Sequence, residues 1–319
     1  MKRIFVAGHR GMVGSAIARK LSQSEVELVY IDRRDVDLTN KTDTYAFLQD
    51  SDIDEIYLAA AKVGGIKANN EYPADFLVEN LEIQTNVISG AFNAKIKKLL
   101  FLGSSCIYPK YSAQPIKEDS LLSGQLEPTN EPYAIAKIAG IKMCESFNRQ
   151  FGTDYRSVMP TNLYGPGDNF HLENSHVVPA LIRKFEEAKL RKVSTVSVWG
   201  TGGARREFLH VDDMADACIH LMSVEQDRLH KEAAVRNSHV NIGTGSDITI
   251  ASLASTIADL IGFNGEIRYD TTKPDGTPRK LLDTSKINRL EWSPKIDLVT
   301  GLTTTIEWFR ANYSDLRSQ

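Results

Sequence analysis

Three glycines, Gly8-x-x-Gly11-x-x-Gly14, stand between an apolar run at Arg3–Ala7 and a helical pattern carried by Ala16, Ile17 and Leu21. Strand, glycine turn and helix in that order commit the chain to open with a βα unit. Glycines permit the tight turn and let backbone approach a pyrophosphate at the positive end of the helix. Further apolar runs at Val26–Ile31, Asp54–Ala61 and Lys98–Gly103 alternate with helical patterns, and Gly152–Met159 and Val196–Trp199 add later strands. This β-α-β alternation predicts an α/β fold, a doubly wound parallel Rossmann sheet. The second half is less regular, with loops at Tyr164–Asn174, Gly200–Arg206 and Lys273–Arg279 rich in Gly, Pro, Asn and Asp. Such loops are where binding residues concentrate.

Bulk properties exclude several classes. A net charge of -3 without a Lys/Arg block argues against a nucleic-acid or membrane surface as the main partner. No apolar run is long enough to span a bilayer. Cys106, Cys144 and Cys218 are too scattered for a disulfide framework or a zinc site, and no metal is expected. The first strand begins so close to Met1 that no signal peptide is expected, which makes a reducing cytoplasm the expected compartment.

Three segments carry chemistry. After the second strand come Asp32, Arg33 and Arg34, with Arg10 in the glycine turn. An acid at this place bonds the ribose 2′-hydroxyl of NAD, and arginines accommodate the 2′-phosphate of NADP. The three arginines favour NADP(H), while Asp32 keeps NAD open. At the C-terminal end of a central strand lies Leu102-Gly103-Ser104-Ser105-Cys106, on the edge that faces the ligand crevice of an open α/β sheet. Tyr133 and Lys137 lie one helical turn apart on one face. An ammonium beside a phenol is expected to lower the phenol pKa from about 10, giving an acid/base for a carbonyl oxygen. A Tyr-x-x-x-Lys pair alone is commonly a solvated helix face. Its weight here comes from the glycine turn and the serine upstream.

With these markers the chain resembles the extended short-chain dehydrogenase/reductase family. Gly200-Thr-Gly-Gly-Ala-Arg-Arg206-Glu-Phe-Leu-His-Val-Asp-Asp213 is similar to that family's substrate-domain segment. The resemblance implies NADP(H) and a nucleotide-sugar substrate held by a smaller, sequence-interleaved α/β domain. The expected division is 1–165 plus about 208–243 for the cofactor and about 166–207 plus 244–319 for the sugar nucleotide. Longer matching stretches, such as Leu58–Ile66, Phe101–Pro109, Glu127–Lys137, Pro160–Pro166 and Lys273–Lys280, resemble the members that act on a GDP-4-keto-6-deoxy sugar. They imply inversion at carbons 3 and 5 followed by NADPH-dependent reduction at carbon 4.

In that resemblance Cys106 and His176 are the epimerisation acid/bases, and Ser104, Tyr133 and Lys137 run the reduction. The cofactor would meet Gly8, His9, Arg10, Gly11, Met12, Val13 and Gly14, then Arg33, Asp37 and Leu38. It would also meet Leu102, Gly103, Ser104, Ser105, Tyr133, Lys137, Pro160, Thr161, Asn162, Leu163 and His176. Asn162, Lys184, Trp199, Arg206, Asp275 and Lys280 would hold the GDP-sugar. Two other enzymes of the family remain open, an NDP-sugar 4-epimerase or a single-function 4-ketoreductase, in which Cys106 is a small buried filler. So does a silent NADP-sensing protein. Helical segments Phe76–Ala91 and Ala134–Phe147 are apolar over much of their circumference, which suggests burial. Related enzymes pair such helices into a four-helix bundle, so a homodimer is expected.

Overall fold

The computed structural model describes residues 1–171, 175–233, 236–273 and 275–316. Leu172–Asn174 in the first irregular loop, Pro274 in the third, and residues 317–319 at the end of the expected second domain lie outside them. Six parallel strands form the main sheet: β1 (Lys2–Ala7), β2 (Val26–Val29), β3 (Glu55–Leu58), β4 (Lys98–Leu102), β5 (Asp154–Pro160) and, much later, Val240–Ile242. Their spatial order runs from Val240–Ile242 through β5, β4, β3 and β1 to β2. Alternate residues of β1 point to opposite faces. Ile4 and Val6 join a core with α1 (Met12–Leu21) and the helix Val211–Ser223, whereas Phe5 and Ala7 join a second core. The second core is closed by α2 (Lys41–Asp50), by α3 (Pro73–Asn93) and by α4 (Glu131–Phe151). Both faces are thus covered, which is why the central strands read as continuous apolar runs.

A third core gathers Phe170, Leu181, Phe185, Val196, Val198, Ile257 and Phe309. It is built by α5 (Val177–Leu190), by the helices Ile250–Ile261 and Leu298–Ala311, and by the strand Thr195–Trp199, which pairs with Glu266–Asp270. Beside it, Arg205–Arg206 pairs in parallel with Arg279–Lys280, setting Arg206 opposite Lys280.

Two strands are shorter than the apolar runs suggest. β2 ends at Val29, the last residue in register with β1, so Tyr30 and Ile31 leave the sheet. β3 ends at Leu58 because Ala59 and Ala60 run beneath the glycine turn; a Cβ on Gly8 would stand 2.7 Å from the Ala60 nitrogen. On the outer helices, Val78 of α3 and Ile135 and Phe151 of α4 are exposed, so these helices are not buried all round within one subunit.

β1 pairs with β2 on one side and β3 on the other, so the topological switch lies between β1 and β3. The segments after β1, β3, β4 and β5 open on that edge. The turn itself depends on Gly14, where any Cβ would collide with the Gly8 carbonyl. Gly14→Ala is expected to lower stability by about 1–3 kcal/mol, the scale of overpacking in a tight contact, measured by chemical denaturation. An unchanged midpoint would show that the turn relaxes freely.

Candidate active site

The glycine turn closes with Gly11 N–H donating to the Gly8 carbonyl at 3.0 Å, and Gly11 caps α1. Met12 and Val13 begin the helix and lie partly against the first core. The first N–H groups of α1 therefore face the crevice as anion donors. His9 lies against Tyr30, with ring centroids 4.8 Å apart. Arg10 donates to Asp32 at 2.5 Å. Arg10 and Arg33 engage different carboxylates. Arg33 is turned to Asp37 at 3.3 Å and Glu79 at 3.2 Å, and carboxylates on the neighbouring segment and on α3 draw it away. Asp37 in turn accepts from Thr39, and Leu38 is buried in the second core.

At the end of β4, Gly103 N–H donates to the Val158 carbonyl, which aligns the segment with β5. Ser104 caps a short helical turn by accepting from the Cys106 N–H at 3.4 Å, and its hydroxyl faces the Cys106 thiol. Ser105 is buried. Lys137 is almost fully buried on α4, and its ammonium donates to the Leu102 carbonyl at 2.8 Å. It stands 5.7 Å from the Tyr133 ring centre and 4.8 Å from that of Phe101. The spacing thus produces the expected pair, but with a different electrostatic outcome. Burial raises the Tyr133 phenol rather than lowering it, and lowers Lys137 to about 8. Desolvation of the charged forms sets both shifts, with the Cys106 thiol adding to the rise at Tyr133 and opposing the fall at Lys137. Tyr133 is a neutral phenol, a proton donor.

Phe76 of α3 meets Tyr133 edge-on, with centroids 6.3 Å apart. Its other side lines a cleft of about 380 Å³ with Lys62, Val63, Gly64, Tyr72 and Asn169. Pro160 ends β5, and Thr161 and Asn162 both donate to the Glu207 carbonyl, at 3.3 and 2.9 Å, while Leu163 lies partly against the first core.

Cys106 is buried, and desolvation raises its thiol; Lys280, the Ser104 hydrogen bond and Lys137 act in the opposite direction. His176 caps the N-terminus of α5. It is exposed by surface area yet walled closely enough that desolvation, helped by the positive charge of Lys280, lowers its pKa. Lys280 therefore acts on both groups. The sequence placed it only among sugar-nucleotide contacts; its position near Cys106 and His176 arises from the pairing of residues 279–280 with 205–206. A protonated thiol and a neutral imidazole together hold one proton to give and one lone pair to take one.

Trp199 ends its strand 61% exposed, not in the core as a strand-end tryptophan commonly is. The ammonium groups of Lys184 and Lys273 stand 5.7 and 5.6 Å from its ring centre. Lys184 also donates to the Ser197 carbonyl. Asp275 accepts from the Thr201 N–H and hydroxyl at 2.7 and 2.8 Å, which holds its carboxyl low. Arg206 is desolvated and attracted by Asp275. Sequence reasoning missed Lys273 and Glu207. Lys273 opens a quoted motif, so its place on the Trp199 ring had a signal; Glu207 had none beyond lying between Arg206 and Phe208.

Residues 4–243 match the NAD dependent epimerase/dehydratase family. The chain is 56% identical over 317 residues to the GDP-L-fucose synthase of Escherichia coli (strain K12), covering 99% of both chains. Among solved structures, a GDP-6-OMe-4-keto-L-xylo-heptose reductase from C. jejuni is 37% identical, with a TM-score of 0.91 over 98% of each chain. A GDP-L-fucose synthetase from Naegleria fowleri bound to NADP is 25% identical, with a TM-score of 0.87 over 98% of this chain and 95% of that one.

The shared influence of Lys280 has a measurable sign. Lys280→Met removes a cation that disfavours imidazolium and favours thiolate, so both the His176 and Cys106 pKa values should rise. NMR titration of His176 should give a midpoint below 6.5 in the parent and a higher one in the variant. Coincident curves would separate Lys280 from the pair.

Proposed function

The chain belongs to the NAD dependent epimerase/dehydratase family, and we propose that it converts GDP-4-keto-6-deoxy-D-mannose to GDP-L-fucose by 3,5-epimerisation and NADPH-dependent 4-reduction. The observation that carries this reading is that Cys106 lies with Ser104 and Lys137 while Lys280 acts on both Cys106 and His176, in a chain more than half identical to a GDP-L-fucose synthase. The residues fit a nicotinamide dinucleotide. The turn leaves no room for a Cβ at Gly8 or Gly14, and the open end of α1 faces it.

A 4-ketone acidifies the hydrogens at carbons 3 and 5, because either carbanion delocalises onto the oxygen. Ser104 and Tyr133 donate to that oxygen and stabilise the developing charge. Cys106 and His176 stand as the proton donor and acceptor pair that inverts each centre. Bound NADPH supplies the hydride for carbon 4. Tyr133, held neutral by burial, gives the oxygen its proton. Lys137 fixes the Tyr133 face of α4 to the end of β4 through the Leu102 carbonyl. Arg206 and Lys280 present paired cations to a pyrophosphate. Trp199, with Lys184 and Lys273 over its ring, offers a face to the guanine end, and Asn162 and Asp275 complete the substrate contacts.

The division of labour follows the expected domains, residues 1–165 plus about 208–243 for NADP and the remainder for the sugar nucleotide. The outward Val78, Ile135 and Phe151 support a homodimer through α3 and α4. No helix among the described residues is long and apolar enough to cross a membrane, and a cytoplasmic location suits a nucleotide-sugar enzyme.

The protein mixed with NADPH and GDP-4-keto-6-deoxy-D-mannose should consume the nicotinamide absorbance and yield GDP-L-fucose. No oxidation of NADPH would sink the proposal. Reduction without inversion would leave a single-function 4-ketoreductase. Tyr133→Phe should lower the reductive rate by about 10²–10⁴-fold while sparing exchange of the carbon-3 and carbon-5 hydrogens with solvent more. Cys106→Ser should show the reverse balance. Equal damage to both steps in each variant would remove the separation of roles.

A further inference from the structure

We propose that Asp32 weakens the preference of this chain for NADP(H), so that NAD(H) is admitted at the same site. The proposal rests on the dinucleotide reading of the glycine turn and concerns which of two nucleotides that turn accepts. Asp32 follows β2, and its carboxylate is directed at the glycine turn, not away from the sheet. Arg10 donates to one oxygen at 2.5 Å, and the His9 imidazole lies 3.8 Å from the other. In a doubly wound sheet the adenosine ribose lies between the glycine turn and the end of the second strand. A carboxylate there accepts a hydrogen bond from a ribose 2′-hydroxyl and repels a 2′-phosphate, which carries up to about two negative charges.

Two of the three arginines that the sequence sets near this place, Arg10 and Arg33, are already committed to carboxylates. Arg10 is engaged by Asp32 itself. Arg33 is engaged by Asp37 and Glu79, and Glu79 is shared with Lys62. A 2′-phosphate that draws in Arg10 and Arg33 must part them from Asp32, Asp37 and Glu79. Exposed ion pairs of this kind give way readily, so NADP(H) still binds. Asp32 then remains as an unpaired carboxylate beside the phosphate. A 2′-hydroxyl imposes no such rearrangement.

The test is calorimetric titration of the purified protein with NADP+ and with NAD+, at fixed ionic strength and without sugar nucleotide. The parent is compared with Asp32→Asn and Asp32→Ser, whose thermal midpoints are checked against it. Removing the charge is expected to move the ratio of the two dissociation constants by about tenfold towards NADP+, the scale of one unit-charge interaction at a partly exposed site. A shift of about fivefold or more in that direction in either variant supports the proposal. A smaller shift in both variants, or one towards NAD+, overturns it. If the parent binds neither nucleotide, the dinucleotide reading falls together with the role of Asp32. If it binds NADP+ and the ratio does not move, only the role of Asp32 falls.

Discussion

The side chain of Glu207 fastens the crevice together, and the placement of the reactive groups depends on it. It is fully buried, and one carboxylate oxygen accepts from the N–H groups of Thr244 and Gly245, each at 2.7 Å. The other accepts from the Leu282 N–H at 3.1 Å, two residues beyond Lys280. Its backbone carbonyl takes Thr161 and Asn162 from the end of β5. One residue thus joins the main sheet to the segment that brings Lys280 to Cys106 and His176. Burial raises its pKa, and the backbone donors oppose that shift. Loss of the carboxylate would leave several buried donors without partners, a larger penalty than loss of one exposed contact.

Desolvation then governs the chemistry in the crevice. It raises the Tyr133 phenol and the Cys106 thiol and lowers Lys137 and His176. Every shift is towards the neutral form. A ketone reduction needs a proton donor at the oxygen, and a neutral phenol provides one. Two inversions need one donor and one acceptor across the sugar, the parts proposed for a neutral Cys106 thiol and a neutral His176 imidazole. Lys280 opposes desolvation at Cys106, where its charge favours thiolate, and reinforces it at His176, where it disfavours imidazolium.

Local spacing made much of this legible. The glycine triplet, Ser104 and the Tyr133–Lys137 pair each lie within one turn or one strand end, where sequence distance sets spatial distance. The sign of the Tyr133 shift was not legible, because the spacing reveals the neighbouring ammonium but not the burial that sets the shift. The direction of Arg33 depends on Glu79, which reaches it from α3 across a fold contact absent from any local pattern. The approach of Lys280 to Cys106 requires two short strands to pair across more than seventy residues. Trp199 is expected among the sugar-nucleotide contacts by resemblance alone, and it is exposed because it lies on the strand face opposite the buried Val196 and Val198. What escaped sequence reasoning in each case was a long-range contact or the water it excludes.

The raised pKa of Cys106 has a consequence for durability. Peroxides attack thiolates, and a thiol that burial keeps protonated is a slow target for them. Cys144 and Cys218 are buried with raised pKa values as well, so no accessible partner stands ready to form a mixed bridge with it. The same exclusion of water that keeps Cys106 protonated for its proposed role slows its oxidation.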